Sequence, residues 1–366
     1  MGDFIRESLS LSINCKDKVC LVSTFWTCTN STLRAQIDPM KTLKDRFAKY
    51  TGSLRAWKGT YMLYNLLNRQ KLSHNKELYR KYGISKRLIS PISYQDFQDR
   101  PAERPWLDQP DALKQLPQHP DWNSFDAKTQ AQIRQFIADG YLILEGFFPK
   151  DKVDSLNTEV DQLLSQRDID FNYSGRKIMN AHRYSTVVDQ DFFRHPELLR
   201  LMQFIMGKPI IPFQTITFVK GSEQRAHSDS IHMTTHPQGY LIAAWVALED
   251  IKSGSGELFY YPGSHRYPFI STQDYPSGNT SWRLGAETNK RYEDKIEAFI
   301  REKTPEKQTF IAKKGDVLLW HANLLHGGMP INDPEQTRRS LVAHYYCEDV
   351  ICYHEMTQRP ALLEQT

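Results

Sequence analysis

The chain has no apolar run approaching the ~20 residues a helix needs to cross a bilayer, which removes a spanning segment from consideration. Cysteine is scarce and odd in number, five in 366 residues. That count fits a reduced compartment better than a disulfide framework and makes the cytoplasm the default location. Cys15, Cys20 and Cys28 form no CxxC pair and have no histidine nearby, so they lack the spacing of a zinc site. The opening stretch is not expected to be a secretory signal: the apolar piece at 19–26 is broken by Ser and Thr and follows mixed charges. Arg6 stands where myristoylation would need Ser or Thr. Long runs of one charge are also lacking. A net charge of +4 with scattered Lys and Arg leaves no footprint for nucleic acid or an anionic membrane.

Hydrophobic residues make up 40% and aromatics 12%, enough for a large core. Residues 1–39 have no periodic apolar face and are expected to be a disordered tail or to precede the native start, with Met40 a plausible true beginning. Residues 40–81 carry apolar side chains at mixed three- and four-residue steps, with Gly52 as a break. That pattern predicts helices whose aromatics pack on the core and whose basic residues are solvated. Six prolines between 89 and 122 predict an extended connector, so 40–124 reads as a helical extension plus linker. From 125 to 352 the pattern becomes strand-rich. Asp126 can cap a helix over 127–139 that Gly140 ends, and Pro196 and Gly207 bracket another. Val153, Leu156, Val160 and Leu163 mark an amphipathic helix. Strands are expected at 211–220, 226–231, 240–248, 257–261, 316–320, at Leu325 and at 340–347. The fold class is therefore mainly β with flanking helices: a jelly roll, the double-stranded β-helix of cupin-like cores. Residues 270–310 form a polar, turn-rich excursion ending in a charged helix, expected to be a lid. Residues 353–366 read as a C-terminal tail.

Within that β-rich region lies His227-Ser228-Asp229, answered far downstream by His326 and then by Arg338-Arg339-Ser340. On a strand, side chains at i and i+2 share a face, so His227 and Asp229 can converge on one ion. A second imidazole from a distant strand completes two histidines and one carboxylate. That set covers one face of an octahedron and leaves the other open, as non-haem Fe(II) requires when it must hold a cosubstrate and dioxygen. An arginine on the following strand can grip a carboxylate with its planar fork. Other histidines compete. His232, five residues beyond His227, should turn to the opposite strand face. His321 and His265 suit pocket lining or structural bonding.

The stretches HSDSIHMTTHPQGYLIAAWVALEDIKSGSGELFYYPGSH and KKGDVLLWHANLLHGGMPINDPEQTRRSLVAHYY resemble the phytanoyl-CoA dioxygenase family of iron- and 2-oxoglutarate-dependent oxygenases. The resemblance covers roughly 125–347. It implies that His227, Asp229 and His326 bind Fe(II) and that Arg338 with Ser340 holds the far carboxylate of 2-oxoglutarate. The interval from His326 to the arginines is one residue longer than the family's usual one, so Arg339 competes with Arg338. Requiring Arg and Ser to share a strand face favours Arg338. Trp245 is by default a core residue, and the resemblance offers it a contact with the cosubstrate; Gln214 is a weaker candidate of the same kind.

The implied reaction hydroxylates an unactivated C–H bond of a small molecule or acyl thioester, consuming dioxygen and releasing succinate and carbon dioxide. Related halogenases carry a small residue in place of the carboxylate ligand, so Asp229 disfavours halogenation. A non-catalytic binding member of the fold would not need the full ligand set. A cupin-like enzyme with another metal would not need Arg338 and Ser340. The family name does not transfer phytanoyl-CoA to this chain, because pockets vary on a shared fold. Deleting residues 1–39 is expected to leave folding and iron binding unchanged; a large fall in melting temperature would show that the segment packs on the core.

Overall fold

The computed structural model describes residues 56–97, 103–165 and 177–363. The expectations for 1–39 and for the break at Gly52 lie outside those residues. Helices α1 (Lys58–Leu67), α2 (Asn75–Lys81), α3 (Ala127–Asp139), α4 (Lys150–Ser165), α5 (Pro196–Met206) and α6 (Thr288–Lys303) accompany twelve strands. These are β1 (Tyr141–Leu144), β2 (Lys177–Met179), β3 (Ile210–Phe218), β4 (Thr234–His236), β5 (Leu241–Ala247) and β6 (Leu258–Tyr260). They continue as β7 (Gln308–Phe310), β8 (Val317–His321), β9 (His326–Gly328), β10 (Ser340–Cys347), β11 (Ile351–His354) and β12 (Arg359–Pro360).

Six strands form one antiparallel sheet in the order β1-β8-β5-β10-β3-β2, and two three-stranded sheets, β7-β6-β9 and β12-β11-β4, complete a jelly roll that is not a closed barrel. Strand β10 shows why the sheet has two differently used faces. Leu341, Ala343 and Tyr345 pack outward with Phe136 of α3, Leu156 of α4 and Leu201 of α5. Val342, on the alternate parity, packs inward with Trp245, Leu318 and Phe310. Antiparallel register sets Ser340 opposite Phe218, Val342 opposite Trp245, and His344 opposite Gln214, so these inward residues share one face.

Helix ends follow the sequence closely. Asp126 Oδ1 accepts the Thr129 N–H at 2.7 Å, and Gly140 ends α3 at φ 80°, where a Cβ would lie 2.4 Å from His265 Nδ1. Two expectations change. The proline-rich connector is not extended: it winds through 3-10 turns at Trp106–Asp108, Leu116–Gln118 and Trp122–Ser124. Proline's fixed φ suits such turns as well as extended chain. Leu107, Leu116 and Trp122 are buried in the main core beside Phe204. Nor are the described residues 353–363 a tail. Residues 351–360 supply β11 and β12, and Tyr353 packs with Tyr79, Ile92 and Phe97 of the N-terminal extension. Backbone pairing with β4 makes a strand of a four-residue run too short to announce one.

Tyr353→Ala is expected to cost about 3 kcal/mol or more, as emptying an aromatic site in a core does. A urea-unfolding midpoint measures it; a shift typical of an exposed tail would contradict this packing.

Candidate metal centre

The segment carrying His227 and Asp229 is not a regular strand. His227 makes a single bridge to His326, with reciprocal N–H···O bonds of 2.9 Å, and Asp229–Ile231 turns as a 3-10 helix. Close approach at the bridge requires glycine: a Cβ on Gly327 would meet Phe259 at 2.5 Å and the Gln224 carbonyl oxygen at 2.6 Å. The bridge sets the two imidazoles side by side, ring centroids 4.5 Å apart. Asp229 Oδ1 lies 4.0 Å from His227 Nε2 and 3.6 Å from His326 Nε2. These three donors form the one His/Cys/Asp/Glu group able to hold a metal ion among the described residues.

Orientation is fixed from behind. Each imidazole Nδ1 bonds a backbone carbonyl two residues earlier, His227 to Arg225 and His326 to Leu324, both at 2.9 Å. That leaves Nε2 facing Asp229, the arrangement typical of ligating histidines. Burial pushes His227 down to about 3, so it stands as a neutral donor. Burial alone would raise the Asp229 carboxyl, but the His326 and His344 imidazoles outweigh it and hold the group below its usual range. Its second oxygen, Oδ2, accepts the Trp320 indole N–H at 2.7 Å and lies 3.5 Å from His344 Nε2. Two buried imidazoles, each with Nε2 facing Asp229, and one carboxylate fit a divalent metal with open positions.

Farther along the inner face, Arg338 is 2% exposed, its guanidinium carbon 5.2 Å from the Phe218 ring and 5.9 Å from that of Trp245. Burial lowers it to about 10. Arg338 Nε, Ser340 Oγ and Trp245 Nε1 are all buried without a hydrogen-bond partner. Such orphaned donors suit an anionic ligand between them. Arg339 goes the other way, pairing with Asp161 of α4 while its N–H donates to Glu249.

A cavity of about 200 Å³ is lined by His227, Asp229, Gln214 and His344, with Lys177, Arg183 and Arg359 also on its wall. His232 lines it too, 5.9 Å from His227 between ring centroids. This corrects the expected opposite face: strand parity does not operate across a 3-10 turn. His321 points elsewhere, with Nε2 3.2 Å from Asp108 Oδ2, and His265 borders a separate cavity of about 930 Å³. The excursion at 270–310 contributes no lining residue to the triad cavity, contrary to its reading as a lid over that mouth. Trp320 and His344 were missed by sequence reasoning. His344 shares strand parity with Ser340, a signal that was available; Trp320 is identified by cross-strand register, opposite Ala243 and Tyr141.

Residues 136–340 match the family described as Phytanoyl-CoA dioxygenase. The peroxisomal phytanoyl-CoA dioxygenase of Mus musculus is 22% identical over 251 residues, spanning 61% of this chain and 70% of that protein. The ectoine dioxygenase of Bordetella parapertussis is 26% identical over 224 residues, spanning 55% and 70%. The crystal structure of a non-heme alpha ketoglutarate dependent carbocyclase from nogalamycin biosynthesis superposes with a TM-score of 0.52 at 14% identity, covering 67% of this chain and 95% of that one; the fold is shared. No helix of the described residues is long and apolar enough to cross a membrane.

Trp320→Phe keeps an aromatic ring but removes the bond to Asp229. Fe(II) affinity is expected to fall about tenfold to a hundredfold by anaerobic calorimetry, while His232→Ala keeps one iron per chain.

Proposed function

As a member of the phytanoyl-CoA dioxygenase family this chain is an iron- and 2-oxoglutarate-dependent oxygenase, and we propose that it hydroxylates an unactivated C–H bond of a small molecule or acyl thioester. His227, Asp229 and His326 hold the iron on one face. Arg338 and Ser340 receive the far carboxylate of 2-oxoglutarate, Trp245 closes the same end with its indole N–H, and Gln214 reaches the cavity from β3. The observation that carries this reading is the buried Arg338 with an unpartnered Nε, on the sheet face that also carries His344 beside Asp229. A buried guanidinium with an unpartnered nitrogen is costly unless an anion joins it.

With 2-oxoglutarate and dioxygen, bound iron supplies the oxidising power for C–H cleavage, with release of succinate and carbon dioxide. The protein does the rest. Asp229 supplies the anionic ligand, and its presence favours hydroxylation over halogenation. Phe218 and Ile216 line the cavity with apolar surface that limits water, while Lys177, Arg183 and Arg359 favour a substrate with an acidic or otherwise anionic group. The free, buried Cys347 and Cys352 support a cytoplasmic location.

Adding 2-oxoglutarate to the Fe(II) protein without oxygen is expected to raise a metal-to-ligand charge-transfer band, and admitting air to release succinate. Arg338→Ala removes a buried charge pair worth on the order of 2–5 kcal/mol. At about 1.4 kcal/mol per decade, the 2-oxoglutarate requirement rises at least tenfold with iron content near normal. Arg339→Ala, which cuts an outer contact to Asp161, should change it little. The reverse pattern would move the anchor to Arg339.

A further inference from the structure

The excursion between β6 and β7 places α6 behind the iron ligands, not over the cavity. Arg225, two residues before His227, directs its three guanidinium nitrogens to three carboxylates of α6. Nε reaches Glu297 at 2.6 Å, Nη2 reaches Asp294 at 2.8 Å and Nη1 reaches Glu293 at 3.1 Å. The carbonyl of the same Arg225 accepts the Nδ1 bond that orients His227. One turn of the same helix supplies Tyr292, fully buried, whose hydroxyl oxygen accepts the Ser228 N–H at 3.0 Å and lies 3.1 Å from Ser228 Oγ. Ser228 sits between the two ligands, and its Oγ continues to Ser230 Oγ at 2.7 Å.

We propose that α6 is a positioning brace for the iron site, acting through Arg225 and Tyr292 to hold the His227–Asp229 segment in ligand geometry and so set iron affinity. The proposal rests on the ligand assignment above. Its physical basis is that this segment lies on irregular backbone, with one bridge and one 3-10 turn in place of a sheet ladder. Ligands on such backbone need support from neighbouring groups to stay within a fraction of an ångström of a productive geometry. The dependence runs both ways. Glu293, Asp294 and Glu297 crowd one turn of α6, an arrangement that repels unless a cation sits among them. An ordinary surface ion pair contributes little to stability, but this one ends on the residue whose carbonyl aims a ligand.

Fe(II) affinity measured anaerobically by calorimetry on the full chain tests the proposal, together with the Fe(II)·2-oxoglutarate charge-transfer band. Tyr292→Phe removes a single hydroxyl and keeps the buried ring, so it retains the fold. It is expected to weaken Fe(II) about tenfold and to shift or broaden the band. Arg225→Ala is expected to do the same, with partial recovery in Arg225→Lys, and Lys303→Ala on the outer part of α6 to bind as wild type. Wild-type affinity and an unchanged band in both Tyr292→Phe and Arg225→Ala overturn the brace, even if both variants melt earlier. His227→Ala and Asp229→Ala separate the two readings: if they retain iron the ligand assignment fails, whereas if they lose it while the α6 variants bind normally only the brace fails.

Discussion

The reciprocal pair of backbone hydrogen bonds between His227 and His326 is the constraint on which the site depends. It joins the irregular ligand segment to β9, brings the two imidazoles to 4.5 Å, and puts Asp229 within reach of both. A carboxylate buried to 5% exposure is costly without compensation. Here one oxygen faces the imidazoles and the other takes the Trp320 indole N–H. The remaining inner face of the large sheet extends this arrangement toward Arg338, whose burial makes sense with an anion at hand. Outer-face packing by α3, α4 and α5 keeps the strands in the register that aligns these groups.

The grouping of His227, Asp229 and His326 was legible because a metal site of this kind needs rare residue types in a fixed order. A His-x-Asp pair, a distant His before a glycine pair and an Arg-x-Ser entering an apolar strand have few alternative explanations together. The Arg338 and Arg339 alternatives also separate in physical terms: the first is buried over Phe218, the second is paired with Asp161 on the helix-covered side. Local signals such as the Asp126 cap and the Gly140 terminus were equally readable, since each rests on one residue's bonding or backbone freedom.

What failed was reasoning that assumed a regular element. Strand parity placed His232 on the far face, but a 3-10 turn at Asp229–Ile231 brings it to the cavity. Prolines suggested an extended connector, although the same dihedral restriction builds compact turns that bury Leu107 and Trp122. The roles of Trp320, α6 and the C-terminal strands depend on contacts between distant parts of the chain, which no local pattern encodes. Residues 270–310 look like a lid because they are polar and long; in the structure their helix grips Arg225 and Ser228.

The location of the iron tests the central claim most directly. Crystals loaded anaerobically with Fe(II) and 2-oxoglutarate would be measured at the iron absorption edge for an anomalous difference map. The account predicts one peak within bonding distance of His227 Nε2, His326 Nε2 and Asp229 Oδ1, with the far carboxylate of the cosubstrate at Arg338. A peak seated instead among His232, His344 and His354, or a cosubstrate anchored away from Arg338, would contradict it.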